Sequence, residues 1–283
     1  MLDLDLRIHY QDDTRISNIQ SPLHEMSDSN IVQTESQDGI LTITLSRSPA
    51  NAFTAEMVAL TRGAIKIAAD DPQVRCVLLT GGGEYFSTGH DLNEVLEVKG
   101  ESFYYHLGRT FNPLVLQIRA LPKPVIASIN GPVAGAALGV ALACDLRIAS
   151  DEAQFMVGFL GVGLSLDAGV SFFLPRLIGF GRAVEYAFTN QPITAGQAFE
   201  WGLVNRLAPA DQIHQQAGEW AREIARGPVG AMGLAKRAFN KSLNASLEEA
   251  LDYEAHLQEV ARQGGEFSEG LEAFLDKRPP EFS

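Results

Sequence analysis

The chain has 283 residues, 46% of them hydrophobic and 20% charged, and a formal net charge of −13 at pH 7. That length and apolar content suit a globular enzyme of one large or two modest domains with a substantial core of its own. So acidic a balance argues against nucleic acid or an anionic membrane surface as partner, while local basic residues and helix N-termini leave anionic small molecules open.

Residues 1 to about 35 are polar and mixed in charge, and only Leu2 to Ile8 alternate in the manner of a strand. They are expected to form a loosely ordered extension, and no basic stretch followed by an apolar core marks a signal peptide. Leu41, Ile43 and Leu45 alternate with Thr42 and Thr44 and predict a half-buried strand. Met57, Leu60, Ala64 and Ile67 follow at helical spacing, and a second strand is expected around Val77-Leu78-Leu79-Thr80. A loop-and-helix stretch leads to a third strand at Pro124 to Ile129, then a helix over about Gly135 to Cys144 and a short strand at Leu146 to Ala149. Leu174-Pro175-Arg176 predicts a helix boundary. Thr194 with Gln197, and Ser246 with Glu249, have capping-box spacing, and Gly202 is placed to stop the first of those helices. From about Gln216 the pattern is helical throughout.

Strands alternating with helices predict an α/β fold with a parallel sheet, followed by a helical region. The expected divisions are 1–35, 36–215 and 216–283. The two cysteines, Cys76 and Cys144, each lie in an apolar run; they are expected as buried thiols, which suits a reducing cytoplasm. The longest apolar run, Val133 to Leu142, is too short and too rich in Gly and Ala to span a bilayer. The histidines show no metal-ligand spacing.

Two glycine turns carry the chemistry. Tyr85-Phe86-Ser87-Thr88-Gly89-His90-Asp91-Leu92 follows one predicted strand, and Asn130-Gly131-Pro132-Val133-Ala134-Gly135-Ala136-Ala137 follows another. At neighbouring strand ends, such turns can aim two backbone N–H groups at one point, which is an oxyanion hole.

With these turns, the wording Asn51-Ala52-Phe53, Lys123-Pro124-Val125-Ile126-Ala127, Cys144-Asp145-Leu146-Arg147-Ile148-Ala149, Asp167-Ala168-Gly169, Leu174-Pro175-Arg176-Leu177-Ile178-Gly179 and Ala198-Phe199-Glu200-Trp201-Gly202-Leu203-Val204 resembles the crotonase (enoyl-CoA hydratase/isomerase) superfamily from about Leu41 onward. The resemblance implies a spiral of repeated ββα units with a C-terminal α-helical trimerisation region, a homotrimer or dimer of trimers, and acyl-CoA thioester substrates. Coenzyme A is then part of the substrate, with no further cofactor and no metal. It places the oxyanion donors on the backbone N–H groups of His90 and Ala136. Substrate and CoA contacts fall at Ala52, Thr88, His90, Leu92, Gly135, Ala136 and Phe159.

The chain departs from the family where hydratases carry two water-handling glutamates: Gly139 and Phe159 stand there. A carboxylate remains at Asp167, the position of the acting aspartate in isomerase branches. Its competing role is to cap the helix beginning near Gly169. The wording is closest to the branches acting on ring-opened phenylacetyl-CoA and on 3-enoyl-CoA. An acyl-CoA isomerase with Asp167 as proton shuttle is therefore expected, with a hydratase, another CoA-thioester lyase or hydrolase, or a silent CoA-binding scaffold as alternatives. Leu116 occupies the position where a dehalogenating branch needs a helper histidine. His106 is expected at the surface, with an approach to the site as the alternative, the His90 ring outward or on the acyl pocket, and Phe172 and Phe173 near the acyl chain or in the core. Asp91 and Asp145 are expected to bond local backbone.

Overall fold

The structure, a computed structural model, describes residues 31–97 and 102–282; the alternating segment Leu2 to Ile8 lies outside the described residues. Strands β1 (Val32–Gln37) and β2 (Ile40–Leu45) form an antiparallel hairpin. Its two-residue turn, Asp38-Gly39, has both φ angles positive, which matches the twist of the paired strands. β1 thus takes in Val32 to Glu35, which the sequence pattern assigned to the extension; its exposed polar side chains carry no apolar period to reveal a strand.

Helix α1 (Ala55–Asp70) starts at Thr54, whose hydroxyl accepts from the Met57 amide. It buries Met57, Thr61, Ala64, Ile65 and Ala68, so Leu60 and Ile67, expected on that stripe, lie on its exposed flank. β3 (Cys76–Gly81), α2 (Leu92–Glu97), α3 (Phe103–Arg109), α4 (Phe111–Ala120), β4 (Val125–Ile129), β5 (Val133–Ala134) and α5 (Ala136–Ala143) follow. Then come β6 (Leu146–Ser150), β7 (Gln154–Met156), a 3-10 turn at Phe159–Val162, α6 (Val170–Ile178), α7 (Phe180–Thr189), β8 (Ile193–Thr194), α8 (Ala195–Glu200) and β9 (Arg206–Ala208). Pro175 does not end α6 as expected but sits inside it. Both capping boxes form, at Thr194–Gln197 and at Ser246–Glu249.

The main sheet has six strands in the order β1-β2-β3-β4-β6-β9, parallel from β2 onward, and a second sheet runs β5-β7-β8. β4 enters the large sheet, β5 the small one, and α5 returns the chain; β6, β7 and α6 repeat the step. Ser87 makes the corresponding bridge to Val133 one turn earlier. This is the expected spiral of ββα units. One face of the large sheet packs on α1, α4, α5 and α6 through Leu79, Ala127, Leu114, Leu138 and Leu174. The other is covered by α9 (Ile213–Ala225) through Ala217, Trp220 and Ala221. α9 begins before residue 216 and belongs to the sheet's core, so the expected division at 215/216 separates no independent body.

The C-terminal helices are α10 (Val229–Ser242), α11 (Leu247–Arg262) and α12 (Gly265–Asp276). The Glu266 carboxylate accepts from the Gly230 and Ala231 amides at 2.9 Å each, so α12 caps the start of α10. Leu247, Leu251, Phe267, Leu271 and Phe274 are left exposed. Among the described residues, no helix is long and apolar enough to cross a membrane.

Candidate active site

The two glycine turns leave the C-terminal ends of the neighbouring parallel strands β3 and β4, where α/β sheets place their ligands. Asn51 ties the first turn down: its Nδ2 donates to the carbonyls of Gly82 and Tyr85 at 2.8 Å, and its Oδ1 accepts from the Arg47 amide at 2.9 Å. Asn130 joins the two turns, accepting from Gly81 N at 3.0 Å and donating to Gly83 O at 2.9 Å. The Ala134 amide donates to Ser87 O at 3.0 Å, and the Gly135 amide to Met156 O at 3.2 Å.

Gly89 and Gly135 have φ of +92° and +57°, conformations that side-chain-bearing residues avoid. A Cβ on Gly89 would sit 2.8 Å from Ala134 O and 3.2 Å from Ala136 N, so the backbones of the two turns touch. The next amides in each turn are His90 and Ala136. Among the described residues, neither donates to a protein acceptor. Ala136 is also the first residue of α5, where the helix dipole favours negative charge.

Both residues border a cavity of about 480 Å³ that Asp167 also lines. Ala52, Thr88, Leu92, Gly135 and Phe159 line it too, so every site residue named from the sequence meets one space. The Asp167 carboxylate does not cap α6: the cap position is Gly169, and Asp167 offers only its backbone carbonyl to Val170 N at 3.0 Å. Its Oδ1 is buried with no hydrogen-bond partner among the described residues, and desolvation pushes its pKa up to about 6. The other aspartate on the cavity, Asp91, is held by Arg47 at 2.7 Å and by the Asn93 amide at 2.9 Å. Its pKa is lowered by those hydrogen bonds and by the Arg47 charge, against the opposing effect of burial.

Where the resemblance looks for glutamates, the cavity has the Phe159 ring, while Gly139 lies against the backbone of Ala168. Phe172 and Phe173 do not line the cavity; they pack edge-to-face on each other with centroids 5.2 Å apart, and Arg176 lies over Phe172. Leu116 is exposed and outside it.

His106 is not the surface residue expected. Its ring is half-buried and stacks on His90 at 4.7 Å between centroids, with the two Nε2 atoms 3.1 Å apart. Burial first, and the facing His106 second, push the His90 pKa down to about 4, so that ring is neutral near pH 7. A single histidine at helical distance from a turn gives no sign of such pairing in sequence. The wall residues Arg47 and Phe103 were equally silent.

Asp145 does not bond the local backbone expected: it accepts from the Val125 amide at the start of β4 at 2.9 Å, and meets Lys236 at 2.7 Å and Arg119 at 3.2 Å. Both cysteines are buried free thiols with pKa values raised to about 12 by desolvation. Among the described residues no cluster of His, Cys, Asp and Glu is arranged to hold a metal ion.

The arrangement can hold a developing negative charge on an oxygen while one carboxylate moves a proton beside it. The family model described as Enoyl-CoA hydratase/isomerase matches residues 35–283. The chain is 36% identical to the 1,2-epoxyphenylacetyl-CoA isomerase of Escherichia coli (strain K12), over 87% of this chain and 96% of the relative. It is also 36% identical to a probable enoyl-CoA hydratase of Rhodobacter capsulatus, over 89% of this chain and 97% of the relative. The crystal structure of an enoyl-CoA hydratase from Bacillus anthracis superposes with a TM-score of 0.84 at 31% identity, over 89% of this chain and 98% of that one. Turns, fold and matches agree: the chain belongs to the enoyl-CoA hydratase/isomerase family of the crotonase superfamily and is an enzyme of that family.

Proposed function

We propose that the protein is an acyl-CoA isomerase that shifts a double bond in an enoyl-CoA thioester. The observation that carries this reading is the unpartnered, half-buried carboxylate of Asp167, on one cavity with the free amides of His90 and Ala136. Asp167, with its pKa raised to about 6, takes a proton from the carbon alpha to the thioester as a carboxylate. The electron pair moves onto the thioester oxygen, where the two amides receive it; one such donor is worth about 3 kcal/mol in a transition state. Collapse of the dienolate draws the same proton from Asp167 to the gamma carbon, and the double bond moves by one position. Ala52, Thr88 and Leu92 hold the coenzyme A end of the substrate, and Phe159 faces the acyl chain.

A hydratase needs carboxylates that activate and deliver water, and the second acid on this cavity, Asp91, is tied to Arg47. The E. coli relative bears an isomerase name, which supports the reading at 36% identity. The reaction as written needs no cofactor beyond the coenzyme A of the substrate. We place the enzyme in the cytoplasm on the strength of its two buried free thiols, and assign the exposed apolar residues of α11 and α12 to a homotrimer or a dimer of trimers.

The test is turnover of a 3-enoyl-CoA in deuterated water, analysed by mass spectrometry, beside the Asp167→Asn variant. Conversion to the 2-enoyl isomer, lost in the variant, is expected. Isomer formed equally well by both removes Asp167 from the mechanism, a hydrated product without migration makes the protein a hydratase, and binding without turnover makes it a scaffold.

A further inference from the structure

Among the described residues nothing holds the Asp167 carboxylate by a hydrogen bond on Oδ1, so the backbone of its turn must set its place. That turn is held in an uncommon shape. Ala168 has φ +48° and Gly169 φ +82°, two consecutive left-handed residues, the first bearing a side chain. Such a conformation is unfavourable for a non-glycine residue and persists only where the surroundings impose it.

The surroundings here are two close packings. On one side, a Cβ at Gly169 would lie 2.7 Å from Cε2 of Phe173. On the other, a Cβ at Gly139 of α5 would lie 2.8 Å from the Ala168 Cβ and 2.9 Å from its carbonyl carbon, with the carbonyl oxygen nearer still. Ala168 is 2% exposed and α5 is buried along its whole length, so neither element has room to yield. The missing side chain at 139 is the space into which Ala168 fits.

Building on the isomerase reading above, we propose that Gly139 is a positioning residue: by lacking a side chain it seats Ala168 against α5 and thereby aims Asp167 into the cavity. The absence of a carboxylate at 139 and the placement of the one at 167 are then a single structural choice. A side chain restored at 139 displaces the acid that works instead of adding a second one.

The test compares four variants with the native enzyme on the 3-enoyl-CoA, each first checked by circular dichroism and thermal melting. Gly139→Ala is expected to lower kcat by 10- to 100-fold with KM within about threefold, the signature of a misplaced reacting group. The acidic limb of its kcat/KM profile moves down from about 6 toward the ordinary carboxylate range as the displaced acid meets water. Gly233→Ala in α10 is the control: its Cβ meets the Pro122 carbonyl as tightly, outside the cavity, so kcat of the folded enzyme stays unchanged. Should Gly139→Ala not fold, Ala168→Gly serves, since glycine accepts the positive φ; loss of the seated methyl is expected to lower kcat at least threefold at constant KM.

Asp167→Asn separates the two ideas. An inactive Asp167→Asn beside a Gly139→Ala, or failing that an Ala168→Gly, with native kcat and native pH profile overturns the positioning role alone. A fully active Asp167→Asn overturns the function proposed for the site and this inference with it. Equal loss of kcat in Gly233→Ala also overturns it, because general overpacking then accounts for the effect.

Discussion

Asp145 and Asp167 are the same side chain in two opposite settings. Asp145 stands where α4, α10 and the sheet meet and is answered on all sides, by Lys236, Arg119 and the Val125 amide. Asp167 stands on the cavity with one oxygen buried and, among the described residues, unanswered. The first arrangement ties distant parts of the chain together; the second leaves a group whose charge is poorly solvated and whose proton is easily exchanged. What distinguishes the acid proposed for catalysis from the structural one is the absence of partners among the described residues.

The comparison is broken most directly at Asp167. Asp167→Asn is expected to lower kcat by about 10²- to 10⁴-fold, the usual contribution of a general acid–base group, with KM nearly unchanged. Steady-state kinetics on a 3-enoyl-CoA would read this, and a loss confined to KM would contradict it. At Asp145 the large effect moves to stability. Asp145→Asn leaves the Lys236 ammonium, 6% exposed, facing carbonyl oxygens without its counter-charge, at a cost of about 3 kcal/mol in denaturant titration.

A smaller effect of opposite sign sharpens the contrast. The folded pKa of Asp167, about 6, lies above the ordinary value of 3.8, so folding favours its protonated form. Stability associated with this group is therefore greatest below pH 4 and falls as pH rises through about 6. Asp167→Asn should stabilise the fold by about 1–2 kcal/mol at pH 7, a gain that disappears below pH 4. The same titration sets the acidic limb of kcat/KM: activity falls as pH drops below about 6, because the proton acceptor is filled. The smallest effect is His106→Ala, which removes one hydrogen bond to His90 and should cost about 1 kcal/mol, read as a drop of a few degrees in Tm.

Much of this protein is determined by local pattern. Alternation in Leu41 to Leu45, the apolar runs of the parallel strands and both capping boxes set the elements, because such signals act within a few residues. The two glycine turns were legible for the same reason: glycines at 89 and 135 permit φ angles that side chains forbid, and the amides that follow them are backbone, present whatever the side chain. The motif placed Asp167 but left its role open between cap and acid. The absence of a cap bond from its carboxylate, the pairing of His106 with His90, the anchoring of Asp145 by Lys236 and the fit of Ala168 into the gap at Gly139 were decided only when α3, α5, α6 and α10 packed together. Burial and missing partners belong to the space between elements far apart in the chain, and no local pattern encodes that space.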